Sequence, residues 1–319
     1  MSQTQTIAYQ RCPRCGNENT ADSFACNFCG FRLKIEKIEK VSFFRRIEAE
    51  WISPYPWYLK ILYLFTSANK AFWDINHKRS KAPGWLILFF SSLLYGLMGL
   101  AFFSHFDFEG LGTYTLARFL IHLSFFAVFF LFGFISQLIF FAILIWLFTK
   151  GANVAVGFTE RLETRFGGLK ETQEKYKEAE ISPFSIYKGG TMLQLEGAYK
   201  FSMMLCAFAP FLLINAIKIL IVFAGFPTVS VPDEDLETLT EAELATYWTA
   251  VFHQMFSSGT WAILDVLDAF TIAIWVPILM TLSIRELSNS STTRVLIPTI
   301  IIGVVVAILY YFLRPTFLG

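Results

Sequence analysis

Apolar runs long enough to cross hydrocarbon, a charged fraction of only 16%, and two Cys-x-x-Cys pairs at the N-terminus together predict an all-α integral membrane protein. The expected architecture is a five-transmembrane-helix bundle preceded by a small N-terminal zinc ribbon of short β hairpins and an interfacial amphipathic helix. Hydrophobic residues make up 55% of the chain and phenylalanine alone numbers 36, so water is not its main solvent. The expected division is a flexible stretch 1–10, a ribbon 11–33, a linker 34–58 and a membrane domain 59–319.

Cys12, Cys15, Cys26 and Cys29 form two pairs separated by ten residues, each closed by a glycine, Gly16 or Gly30. At this spacing two thiolate knuckles meet around one tetrahedral Zn²⁺. Disulfides would need an oxidising compartment, and Met1 to Gln10 is polar, without the apolar core of a cleavable signal. A redox motif uses one Cys-x-x-Cys inside a strand-helix-strand unit, whereas two occur here, each with a glycine that lets the backbone turn around sulfur. Roughly twenty residues cannot bury enough apolar surface to fold alone, so the metal takes the place of a core. Four thiolates close the coordination and leave no position for an activated water, which makes the zinc structural. Arg11, Arg14, Phe24, Phe28 and Phe31 supply too few cations for a nucleic-acid surface and read as a packing shell with a docking face for a protein partner.

The linker mixes charges with Ile35, Ile38, Val41, Phe43 and Phe44, and Trp51, Tyr55, Trp57 and Tyr58 flank the breaks at Pro54 and Pro56. Such aromatic density suits the headgroup layer. From Leu59 to Lys78, Ile61, Leu62, Leu64, Phe65, Ala68, Phe72 and Ile75 recur at helical spacing, with Lys60, Asn69, Lys70 and Asn76 between them. The segment carries too many charges to span, and two placements fit it equally: along the inner membrane surface, or packed beneath the bundle.

The five spans are expected at about 84–103, 119–148, 201–226, 259–284 and 295–313. The second would extend roughly 45 Å as one helix, and splitting it near Gly133 would leave pieces too short to cross, so a single long helix is expected. Orientation follows from Lys and Arg. Lys70, Lys78, Arg79 and Lys81 crowd the approach to the first span, and Arg161, Arg165, Lys170, Lys175, Lys177, Lys188 and Lys200 occupy the loop after the second. The opposite loops carry Asp107, Glu109 and the run from Asp233 to Glu243. A multi-pass membrane protein with a cytoplasmic N-terminus and an outer C-terminus is therefore expected, and only Arg118 and Arg314 sit against the trend.

Several segments resemble the Yip family, the Ypt/Rab-interacting five-span membrane proteins. Phe65 to Ile75, followed by Pro83-Gly84-Trp85, resembles the approach to that family's membrane domain. Gly189-Gly190, then Gly197-Ala198-Tyr199-Lys200-Phe201 and Pro210, are similar to its glycine-containing approach and proline-bearing helix. Ile284-Arg285-Glu286-Leu287, with Ser290-Ser291-Thr292-Thr293-Arg294, is similar to its last cytoplasmic turn. A ribbon fused to this domain resembles the prokaryotic and archaeal branch, and the Asp-Leu-Tyr-Gly motif of eukaryotic trafficking members is absent. The resemblance implies a membrane scaffold or adaptor associated with small GTPases, vesicle traffic or membrane shaping, and no enzyme.

The residues agree: there is no glycine-rich phosphate loop, no zinc-protease helix motif and no nucleophile with a matching base. The remaining candidates are polar groups inside the spans, which are costly there and often functional. Asp265 and Asp268 share one helix face, Lys218 and His122 fall at a similar depth from the outer side, and Asn215 lies one turn from Lys218. Lys218 is expected to pair with Asp265 or Asp268. Such a cluster serves either packing or the relay of a proton or cation, with Pro210, Pro277 and Pro298 breaking helices around it. The charged run 171–180 reads as a solvated helix, the acidic run 233–243 lacks the spacing of a calcium loop, Cys206 reads as core, and His105 and His253 show no evident partner. Recruitment of cytosolic partners, a small GTPase among them, through the ribbon is the expected function; a small ion or proton-coupled transporter is the alternative.

Overall fold

The computed structural model describes residues 9–26, 28–48, 53–77, 82–108, 115–162, 196–231 and 240–312. Lys78, Arg79, Lys81, Arg165, the run 170–188, Gly189-Gly190, the acidic residues 233–239 and the C-terminal residues 314–319 lie outside them, so the expectations placed there are not tested. In chain order the elements are β1 (Tyr9–Arg11), β2 (Glu18–Thr20), 3₁₀ turns at Lys37–Lys40 and Ser42–Phe44, α1 (Trp57–Thr66), α2 (Ala68–His77) and α3 (Gly84–Phe103). There follow β3 (Phe106–Phe108), α4 (Thr115–Val156), α5 (Phe158–Leu162), α6 (Glu196–Leu205), α7 (Pro210–Gly225), β4 (Val229–Val231) and α8 (Glu241–Phe256). The chain then runs through α9 (Thr260–Phe270), a π-helical turn (Thr271–Trp275), α10 (Val276–Ser288) and α11 (Thr292–Phe312).

Four helical stretches are long and apolar enough to cross a membrane, or five if the pair α6 and α7 is one span. The expected second span is a single helix of 42 residues, while the expected third is divided at Ala209 by a 3₁₀ turn ahead of Pro210. Proline has no N–H to continue the ladder, which places a helix start there. The π-helical turn inside the fourth span lies just before Pro277, where the missing donor loosens the preceding turn in the same way.

The chain forms two compact units. One comprises Met1–Trp85, Ile143–Ala209 and Ile274–Gly303; the other comprises Leu86–Ala142, Pro210–Ala273 and Val304–Gly319. In the first unit β1 pairs antiparallel with β2, Tyr9 opposite Thr20 and Arg11 opposite Glu18. The expected helix 59–78 is two helices broken at Ser67, which pack against each other. Its N-terminal half is turned inside out relative to a helix in water: α1 exposes Trp57, Tyr58 and Leu62 and buries Lys60 beside Asp74. The companion α2 buries Ala68, Ala71, Phe72 and Ile75, and packs on α10, whose residues are nearly all buried. This is the packed placement for α2 and an outward apolar face for α1.

The second unit gathers α3, the first part of α4, α7, α8 and α9 around Phe102, Phe226 and Trp261, whose rings meet at centroid distances of 5.2 Å (Phe102–Phe226 and Phe226–Trp261). Here β3 and β4 form a short parallel pair, Phe106 opposite Val229, where only loops were expected. His105, expected to have no partner, hydrogen-bonds through Nε2 to the Val222 carbonyl at 3.0 Å. The capping box of Thr240 and Glu243 starts α8. Along α4, Phe119, Leu123, Phe132, Ile135 and Ile139 are exposed, an apolar stripe that suits a helix facing lipid.

At the start of α3 a Cβ on Gly84 would lie 2.0 Å from the Ser202 carbonyl oxygen and 2.7 Å from the Leu205 Cβ. Gly84→Ala should lower stability by about 1–3 kcal/mol, measured as a fall in melting temperature in detergent. Gly259→Ala, which meets open space, should leave it unchanged; equal melting of both variants would refute this close helix contact.

Candidate functional site

The ribbon is built from two copies of one turn. Cys12 N–H donates to Asn17 O and Gly16 N–H to Cys12 O, and in the second knuckle Cys26 N–H donates to Phe31 O and Gly30 N–H to Cys26 O, all at 2.8–2.9 Å. Gly16 and Gly30 adopt φ of +74° and +69°, a region open to glycine at little cost. The turns bring the sulfurs of Cys12, Cys15, Cys26 and Cys29 within 4.8 Å of one another, with Cys12 to Cys29 and Cys15 to Cys26 at 3.6 Å. Four sulfurs about 2.3 Å from one centre would lie about 3.8 Å apart, so the donor set fits a tetrahedral Zn²⁺. Burial opposes ionisation of Cys12, yet N–H groups of Cys15 and Arg14 bring it down to about 7. Burial pushes Cys15 and Cys29 up. Four crowded sulfurs need a cation to become thiolates together, which a divalent metal supplies. Asn19 Nδ2 donates to Cys26 Sγ at 3.5 Å, a contact that would orient this sulfur toward a bound metal.

The ribbon and linker are fastened to the turn between α10 and α11, within the first unit. Asn289 leaves α10 at φ +50° in the left-handed region that ends helices. Its amide accepts from Ala25 N–H at 2.9 Å and donates to Ala25 O at 2.6 Å, so that one side chain imitates a strand partner for the residue before Cys26. Glu36 caps α11: its carboxylate accepts from Thr292 N–H at 2.7 Å and from the Ser291 hydroxyl. Burial alone would raise the Glu36 carboxyl, but these hydrogen bonds outweigh it and hold the group below its ordinary 4.5.

Arg46 donates to the Ser290 carbonyl and pairs with Glu39 at 3.2 Å. Arg285, 0% exposed, donates to the Phe44 carbonyl and to Thr292 Oγ1 and pairs with Glu286 at 3.3 Å. Asn76 donates to the Glu286 carbonyl, Tyr199 to that of Ile75, and Lys60 meets Asp74 at 3.6 Å. The sequence motif 284–294 and the knuckles thus meet in one polar layer. Glu36, Glu39 and Arg46 were not singled out in the sequence, where they are ordinary charges in a linker; the only signal was charged residues interleaved with Phe43 and Phe44.

In the second unit Lys218 pairs with Asp268, the second of the two aspartates considered for it. They line a cavity of about 270 Å³ with Tyr95, Gln137 and Asn215, and Asn215 donates to Ser91 Oγ at 3.0 Å. Asp268 Oδ1 has no hydrogen-bond partner among the described residues. Asp265 is buried one turn earlier on α9 but does not line the cavity. His122 is not among the cavity-lining residues; it stands about 21 Å along α4 from Ser136, the first that helix contributes. Cys206 is buried, its thiol donating to Ser202 O. No family model matches the chain, and neither the curated proteins nor the solved structures yield a significant match.

Because the Glu36 carboxyl titrates below its ordinary value, the stability it contributes is present above about pH 4.5 and lost as pH falls through the lower folded value. Glu36→Gln should cost about 1 kcal/mol at pH 7 and progressively less as acid neutralises the native group, read by parallel melts across pH. For the second unit, Lys218→Met or Asp268→Asn alone should destabilise by about 3–5 kcal/mol, since each leaves a buried charge unpaired. The double variant Lys218→Met/Asp268→Leu should recover most of that loss in detergent melts.

Proposed function

We propose that this protein is a membrane scaffold or adaptor: a multi-pass helical anchor that holds a zinc-folded ribbon at the cytoplasmic surface to recruit cytosolic partners. The observation that carries the reading is the attachment of the ribbon. Asn289 pairs with the backbone of Ala25 and Glu36 caps α11, so the first unit presents the knuckles at a set position on the ends of apolar helices. Pro13, Arg14, Cys15, Asn17 and Glu18 of the first knuckle face outward, which leaves a face for a partner protein. Trp57, Tyr58 and Leu62, exposed on α1, suit the headgroup layer beside it. The cytoplasmic N-terminus and outer C-terminus follow from the Lys and Arg distribution, and the Yip-like segments support recruitment, with a small GTPase among the partner types.

Zinc is the structural cofactor of this proposal. Its four thiolates hold Cys12, Cys15, Cys26 and Cys29 together, and through Ala25 the order of the ribbon reaches the helix turn. The Cys12→Ser/Cys26→Ser variant should lose about one equivalent of zinc per chain by elemental analysis, keep its far-UV helical signal, and lose proteins that co-isolate in mild detergent. Retention of the same co-isolating proteins after zinc loss would overturn the recruitment role.

Transport is the second reading, favoured by the cavity at the Lys218–Asp268 pair and by the Asp268 oxygen without a partner there. Ion flux in proteoliposomes that is abolished by Asp268→Asn with folding intact would favour it.

A further inference from the structure

A second cavity lies on the polar side of the first unit, where the zinc knuckle, the linker and α2 come together. It measures about 530 Å³ and is lined by Arg14, Arg32, Arg45, Arg46 and Lys70, with Glu48 the one acidic residue in its wall among the described residues. Five cations to one anion is not the mixture a solvated protein face adopts.

The cations fall into two groups. Arg32 is paired with Glu48 at 3.0 Å, and Arg46 is held by Glu39 at 3.2 Å and by the Ser290 carbonyl. These two are fixed in place by their partners. Arg14, Arg45 and Lys70 are exposed and have no ion-pair partner among the described residues. Three like charges facing one concave space repel one another, and an anion entering it relieves that repulsion. The positions are set by separate elements. Arg14 sits between two metal-binding cysteines, Arg45 follows the second 3₁₀ turn, and Lys70 lies in the first turn of α2. Asn69 ties two of these together by donating to the Arg45 carbonyl at 2.8 Å. Guanidinium forks with an ammonium are the donor set that matches the several oxygens of a phosphate.

We propose that this cavity binds the phosphate group of an anionic ligand, the zinc knuckle supplying Arg14 and the linker and α2 supplying Arg45 and Lys70. Two sources carry that chemistry: an anionic lipid headgroup, with α1 and its exposed Trp57, Tyr58 and Leu62 close by in the chain, or a soluble phosphate. The site does not depend on partner docking, since anion binding is read on purified protein alone.

The test uses the full-length, zinc-loaded protein in non-ionic detergent and measures equilibrium binding of short-chain dihexanoyl phosphatidic acid and of inorganic pyrophosphate, with dihexanoyl phosphatidylcholine as reference. Saturable binding of at least one anion is expected. The variant Arg14→Gln/Arg45→Gln/Lys70→Gln should weaken it about tenfold or more, whereas Arg11→Gln, a ribbon cation outside the cavity, should not. Pyrophosphate that displaces phosphatidic acid supports a soluble phosphate source; phosphatidic acid that binds without competition from pyrophosphate supports the headgroup. If the triple variant fails to fold, Arg45→Gln and Lys70→Gln are measured singly and should each weaken binding about threefold. Binding no tighter than the phosphatidylcholine reference, or affinity unchanged in the folded variants, or an equal loss in Arg11→Gln, would overturn the site.

Discussion

Arg285 is a fully buried guanidinium at the polar end of an apolar helix, and the first unit is organised by its need for partners. A charge without compensation in such a setting would cost several kcal/mol, so oxygen atoms must come to it. They come from three parts of the chain: the Phe44 carbonyl of the linker, the Thr292 hydroxyl of α11, and the neighbouring Glu286 carboxylate. To deliver the Phe44 carbonyl the linker has to run across the helix ends, and that path brings Glu36 to the N-terminus of α11 and Arg46 to the Ser290 carbonyl. Arg285 Nη1 takes the two hydrogen bonds while Nε and Nη2 have none among the described residues, so the Glu286 carboxylate compensates the rest of the charge, and the ribbon travels with the linker.

The cysteine knuckles and the membrane-type helices share a boundary at Ala25. The second knuckle turn fixes the backbone of Cys26 and hence of the residue before it, whose N–H and carbonyl are both satisfied by Asn289. Asn289 can reach them because it sits in the left-handed conformation that closes α10. Folding of the ribbon and termination of a membrane-type helix are therefore coupled through two hydrogen bonds. That coupling gives the ribbon a set position on the first unit.

Helix α1 shows the same logic with the solvent reversed. Lys60 points inward to Asp74, 3% and 0% exposed, while Trp57, Tyr58 and Leu62 point out. In water this arrangement would be unfavourable on both faces; beside a headgroup layer the aromatic side is satisfied and the charge pair is shielded. In the second unit Lys218 and Asp268 repeat the pairing beside a cavity, with one Asp268 oxygen left without a hydrogen-bond partner among the described residues.

The sequence by itself determined those features that rest on local chemistry. The Cys-x-x-Cys-Gly turns form wherever glycine can take a positive φ behind sulfur, and an apolar run of the length of α4 becomes one helix because hydrocarbon leaves no other way to satisfy its backbone. Other features were decided by groups distant in the chain. Ala25 pairs with a residue 264 positions away and Glu36 caps a helix 256 positions away, so nothing near either residue announces the role. The break at Ser67 and the pairing of Lys218 with Asp268 belong to the same class. Helical spacing reports which residues share a face; which face meets which partner is set by packing and by the energy of burying polar groups, and that balance exists only once the tertiary structure has formed.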